Sequence, residues 1–141
     1  MAVTRWEPTR VPPGLWVFGG GCLGTLARAA LSAAVPDPGV GVPTTTLAIN
    51  LTGAFILGWL LRTLALTGPD RGTRRVLRLG VGTGVLGGYT TFSTFDVQNV
   101  TLLSHDHVLI SAIYLLVSLG GGFAAAWAGT ALARRTVGAR A

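Results

Sequence analysis

Four apolar stretches, at residues 15–35, 44–66, 76–103 and 108–133, take up most of this 141-residue chain. Each reaches the length of about 20 residues that carries a helix across the hydrocarbon core of a bilayer. Only helices and closed barrels satisfy their backbone polar groups inside lipid, and runs this long and this continuous read as helices. Four of them leave too few residues for a separate soluble domain. The expected fold is therefore all-α, one four-span membrane domain over residues 1–141. A charged fraction of 11% and a mean hydropathy of +0.58 agree, since soluble domains carry about 25% charged residues. The tail before the first span holds Arg5, Arg10, Pro8, Pro12 and Pro13. No small-x-small cleavage site leading into a soluble chain follows, so the first span reads as retained rather than as a signal peptide.

The positive charge is all arginine, and its placement predicts a topology. Arg5 and Arg10 precede span one, Arg62, Arg71, Arg74, Arg75 and Arg78 lie in or beside the connection between spans two and three, and Arg134, Arg135 and Arg140 follow span four. The connections at 36–43 and 104–107 have none. Positive charge marks cytoplasmic loops, so both termini and the middle connection are expected inside a plasma membrane, N-in and C-in. A net charge of +6 also raises nucleic acid as a partner, but arginines confined to loops and tails fit topology and not a binding face. No nucleic acid is expected.

Several motifs point elsewhere than they first suggest. Gly19, Gly21 and Gly24, and again Gly82, Gly84 and Gly87, have the G-x-G-x-x-G spacing of a dinucleotide fingerprint. Neither follows a strand or lies in a βαβ unit, so both are set aside. Gly20 and Gly24, and Gly80, Gly84 and Gly88, instead form small-xxx-small ridges on which membrane helices approach closely. Cys22 is a lone small hydrophobe. His105, Asp106 and His107 offer too few ligands in fixed geometry to make a metal site. The sequons at Asn50 and Asn99 fall inside spans and are discounted as glycosylation sites.

Within the spans, a few polar residues stand out. Arg28 is the one charge deep in span one, and both a snorkelling side chain and a buried functional cation fit it. Asn50 in span two shares a face with Thr46 and Gly53, and reads equally as an interhelical hydrogen bond and as a donor lining a pathway. Span four carries a stripe of Ser111, Tyr114 and Ser118. Span three is the most unusual. Gly87 and Gly88 are followed by Tyr89, Thr90, Thr91, Phe92, Ser93, Thr94 and Phe95, and two adjacent glycines have poor helix propensity. A break at 87–91 near mid-membrane is expected. Unwound carbonyls there suit a small cation. Phe92 and Phe95, three residues apart, bring ring edges that attract an anion. The neighbouring hydroxyls donate hydrogen bonds without a fixed charge that would hold the ion too tightly.

Read together, Gly20-Gly21 through Arg28, the run Ile49-Asn50-Leu51 with Gly53 and Phe55, and the run from Gly87 to Phe95 resemble the Fluc fluoride channels, also called the CrcB family, with all four spans in order. The resemblance implies fluoride-specific, passive efflux that protects a bacterium from accumulated fluoride, through an antiparallel dimer with two pores. It places Asn50, Phe92 and Phe95 along the fluoride path, Thr91, Ser93 and Thr94 in a polar track, and Tyr114 and Ser118 as span-four pore residues. It assigns backbone carbonyls of Gly87 and Thr90 to a structural, untransported sodium ion. Many members have a glutamate where this chain has Gln98, which touches conductance or proton-linked behaviour.

The one-sided arginine distribution opposes insertion in both orientations. An antiparallel dimer would then pair this chain with an oppositely oriented homologue, as a heterodimer. Two other readings are a weakly conducting or structural partner subunit, and a small four-span multidrug exporter. The exporter needs a glutamate within span one, whereas the only glutamate is Glu7 in the tail. An enzyme is not expected, since both histidines lie in one loop, away from any candidate serine within the spans.

Overall fold

A computed structural model describes residues 11–39 and 41–138. Arg5, Arg10 and Arg140, which contribute to the topology reading, lie outside them. Among the described residues every regular element is helical. Helix α1 (Pro13–Ala34) starts with proline in its first turn, where the missing N–H costs nothing. Helix α2 (Thr44–Thr67) follows Pro43 and ends at Gly68, whose φ of 137° lies in the region glycine tolerates. Helix α3 (Thr73–Leu77) widens into a π-helical run (Arg78–Leu86), which continues as the short α4 (Gly87–Tyr89). Helix α5 (Ser93–Ser104) and helix α6 (Val108–Thr136) complete the chain. Helices α1, α2 and α6 are each long and apolar enough to cross a membrane. The remaining apolar stretch is the interrupted run from α3 to α5.

The elements pack in two close pairs, α1 along the π-helical run and α4, and α2 along α6. Glycine makes both pairs possible. A Cβ at Gly24 would run into the carbonyl of Val85, and one at Gly129 into that of Phe55. Backbones that approach this closely replace the hydrophobic drive that lipid does not provide. A smaller apolar cluster of Phe95, Leu102 and Tyr114 holds α5 against α6. Many large apolar side chains face outward, among them Phe18, Phe123 and Trp127, each more than two-thirds exposed. Such outward apolar surface is stable against lipid or another membrane subunit and costly against water.

The helix break falls later than the glycines suggest. Gly87 is helical, with φ −66° and ψ −35°, and the chain turns extended at Thr90, with φ −73° and ψ 154°. The irregular residues are Thr90, Thr91 and Phe92, against the expected 87–91. The reason is packing. A Cβ at Gly88 would collide with the carbonyl of Gly21 on α1, so this glycine serves close approach and stays in the helix. The helix ends where a side chain takes over the next amide. Thr90 still closes its helical bond, its N–H and its hydroxyl both donating to the Leu86 carbonyl at 3.0 and 2.9 Å, and Asn50 captures the residue after it, as described below.

Candidate functional site

Asn50 projects from the second turn of α2 onto the break. Its Nδ2 donates to the Thr91 carbonyl and its Oδ1 accepts the Thr91 N–H, both at 2.9 Å. The side chain thus imitates a neighbouring main chain and satisfies backbone groups that the lost helix leaves open. Of the two readings left by the sequence, the interhelical hydrogen bond is present. The same residue also borders the open groove formed with Gly53, Thr90, Thr91 and Phe92.

Beyond the break the hydroxyls gather around Thr91. Its Oγ1 accepts the Thr94 N–H at 3.2 Å, donates to Thr94 Oγ1 at 3.0 Å, and lies 3.3 Å from Ser93 Oγ. These contacts cap the first turn of α5. They also commit two amides. In an unbroken helix the Thr91 and Thr94 N–H groups would close bonds onto the carbonyls of Gly87 and Thr90. Here they go to Asn50 and to the Thr91 hydroxyl instead. Two neutral oxygen acceptors, relieved of those helical donors, have the chemistry a small hard cation requires. The adjacent carbonyl of Gly88 is used differently: Arg28 Nε donates to it at 3.1 Å. Arg28 is therefore tied to α4, just ahead of the break.

The two phenylalanines meet, but in different environments. Their ring centroids are 5.8 Å apart, with Phe92 74% exposed and Phe95 6% exposed. Phe95 continues to Tyr114 of α6, centroid to centroid 5.0 Å. An aromatic line thus runs from the outer surface of the chain to its most buried ring, tilted at each contact. Tyr114 is fully buried and its hydroxyl donates to Gln98 Oε1 at 2.9 Å. Ser111, on the same face of α6, donates to Asn99 Oδ1 at 2.9 Å. The Ser118 hydroxyl is buried without a hydrogen-bond partner, a rare state that leaves its hydrogen-bonding capacity for something else.

One residue escaped the sequence reading. Asp37, between Pro36 and Pro38, folds back from the connection between α1 and α2. It accepts from the Thr45 N–H at 2.6 Å, the Thr46 N–H at 3.2 Å and the Thr46 hydroxyl at 2.7 Å. Gln98 Nε2 donates both to Asp37 at 3.1 Å and to Thr46 Oγ1 at 3.0 Å. Burial pushes the Asp37 carboxyl up, but the hydrogen bonds from Thr46, Thr45 and Gln98 outweigh it and hold the group below its ordinary 3.8. An acid flanked by prolines ahead of Thr44-Thr45-Thr46 was the available signal, because a carboxylate stabilises a helix N-terminus. The loop histidines do nothing comparable. His105 Nδ1 lies 2.9 Å from the Thr101 carbonyl, and no group of three metal-ligating side chains gathers among the described residues.

This combination of an asparagine-pinned break, carbonyls without their helical donors and a phenylalanine pair is accompanied by a family match over residues 15–130, to the family described as CrcB-like protein, Camphor Resistance (CrcB). The chain belongs to the CrcB family. Among curated relatives, fluoride-specific ion channel FluC 2 of Leifsonia xyli subsp. xyli is 52% identical over 118 residues, covering 84% of this chain and 81% of the relative. Fluoride-specific ion channel FluC 1 of Cutibacterium acnes is 48% identical over 124 residues, covering 88% and 87%. Fluoride-specific ion channel FluC 1 of Mycobacterium tuberculosis is 44% identical over 120 residues, covering 84% and 88%. With its three long apolar helices, this CrcB chain is an integral membrane protein.

Proposed function

We propose that this CrcB protein is a fluoride-specific ion channel subunit that lets fluoride leave the cytoplasm passively and so limits its toxicity. The observation that carries the reading is the meeting of Phe92 and Phe95 with the Thr91, Ser93 and Thr94 hydroxyls beside the break. Ring edges and neutral hydroxyls attract a small anion yet release it. Fluoride would pass along Phe92, Phe95 and Tyr114, with Asn50, Ser118 and the polar track as hydrogen-bond donors. The names of the relatives support the choice of anion.

In this reading the interrupted run from α3 to α5 is the fourth span, in a plasma membrane with both termini inside. The exposed ring of Phe92 and the groove beside it face a second subunit in inverted orientation. The carbonyls of Gly87 and Thr90, together with the inverted copy's, would hold a structural sodium ion. Such an ion supplies a fixed positive charge that ties the subunits together. The Asn50 and Thr91 side chains do the local work by removing the helical donors from those carbonyls. Because arginine crowds one side of the chain only, the second subunit is an oppositely oriented homologue and the channel a heterodimer.

Fluoride efflux from liposomes tests the reading, with this chain reconstituted alone and with its homologue. Flux is expected from the pair, lost in Phe92→Ile and Asn50→Ala. Unchanged flux in both variants would sink the site assignment, and strong flux from the chain alone, with protomers in both orientations, would sink the heterodimer.

A further inference from the structure

We propose that Asp37 is a positioning residue that sets the orientation of the Gln98 amide and, through it, of the Tyr114 hydroxyl, and that the neutral amide at 98 is matched to the carboxylate at 37. This rests on the reading of Tyr114 as part of the fluoride path.

An ionised carboxylate only accepts hydrogen bonds. Each bond in the cluster therefore has a direction. The Thr46 hydroxyl must donate to Asp37, so it accepts from Gln98. The Gln98 NH2 end must face Asp37 and Thr46, so its Oε1 faces Tyr114. The Tyr114 hydroxyl donates to that Oε1, with the Thr46 hydroxyl also beside it, and the oxygen is what it presents elsewhere. A flipped amide would set Oε1 against the carboxylate and NH2 against the tyrosine. The charge at 37 thus decides which groups near the buried ring of Tyr114 donate and which accept. The titratable and charged groups that the geometry brings to this cluster are Asp37 from the α1–α2 connection and Tyr114 from α6; α2 brings Thr45 and Thr46, and α5 brings Gln98.

The match is open to a swap. In Gln98→Glu two carboxyls would compete for the same donors, and such a pair retains one proton well above the ordinary carboxylate range. In Asp37→Asn with Gln98→Glu the single carboxylate moves to position 98 and the competition disappears. The experiment combines infrared pH titration of the detergent-solubilised protein with fluoride flux of the liposome-reconstituted pair. Expected for Gln98→Glu is the carbonyl stretch of a protonated carboxyl at neutral pH, and a flux that changes at least about threefold between roughly pH 5 and 8. Expected for the double variant is an ionised carboxyl at neutral pH and a flat pH profile. Two carboxyls both ionised at neutral pH in the Gln98→Glu variant, or a pair that titrates like the single carboxyl of the double variant, would overturn the proposal. If Gln98→Glu folds only together with Asp37→Asn, that rescue also supports it, and failure to fold in both backgrounds counts against it. The infrared arm requires no transport, so a protein that carries no fluoride defeats the channel reading and still leaves the pairing of Asp37 with Gln98 decided.

Discussion

The side-chain amide of Asn50 pairs with the main chain of Thr91 in both directions, Nδ2 to carbonyl and N–H to Oδ1, at 2.9 Å each. One residue of α2 thereby takes the place of a helical turn in the neighbouring segment. Removing it leaves a backbone donor and acceptor in apolar surroundings, each costing about 1–3 kcal/mol. Asn50→Leu should be destabilised by a few times that of an ordinary surface change and should lose flux. Asn50→Asp is the sharper probe. It retains an acceptor for the Thr91 N–H but sets a carboxylate oxygen against the Thr91 carbonyl. Denaturant titration of both variants in detergent is expected to show clear losses, and a neutral Asn50→Asp would contradict the paired geometry.

The two phenylalanines should separate under mutation. Phe92 is mostly exposed in the chain, so Phe92→Ala leaves no cavity and should change subunit stability little while abolishing fluoride flux. Phe95 is buried against Tyr114, and Phe95→Ala should cost about 3 kcal/mol or more through the cavity it leaves. Unfolding in detergent read beside liposome flux separates the two effects. Equal destabilisation of both variants would contradict the placement of Phe92 at the surface.

Two glycines of α1 make a matched pair. Gly19 has open space where a Cβ would stand, whereas a Cβ at Gly24 would strike the Val85 carbonyl. Gly19→Ala should therefore gain up to about 1 kcal/mol of helix propensity. Gly24→Ala should lose about 1–3 kcal/mol, because the π-helical run must move away. The order of the two variants in a thermal unfolding series checks this.

Asp37 should give the protein an acid-sensitive component. Its carboxyl is held below 3.8 in the folded chain, so its contribution is fully present above 3.8 and is lost as pH falls through the lower folded value. Melting measured from neutral pH downward should show a stability loss in that acid window. Asp37→Asn should be less stable than the native chain at neutral pH and should lack this part of the acid-side slope.

Much of the fold could be read from the residues in order. Apolar stretches at 44–66 and 108–133 mark α2 and α6, which run Thr44–Thr67 and Val108–Thr136, because long apolar runs in lipid have few options besides helix. The spacing of Gly20, Gly24, Gly84 and Gly88 likewise marked close helix contact, a property of neighbours along one face. The break was harder. Two adjacent glycines at 87 and 88 have weak intrinsic helix preference, yet both remain helical; α1 comes into backbone contact at Gly88, while a Cβ at Gly87 would meet open space.

What the sequence determined by itself is what depends on local composition and periodicity: helical spans, arginine-marked connections, and a polar, glycine-rich interruption carrying Phe92 and Phe95. What only the tertiary structure decided is which polar groups meet. Asn50 reaches Thr91 across 41 positions, Arg28 reaches Gly88 across 60, and Asp37 reaches Gln98 across 61. No local rule specifies such pairs, because their partners are chosen by helices packing on glycine. In lipid, an unpaired polar group costs enough that each must then find whatever partner that packing brings.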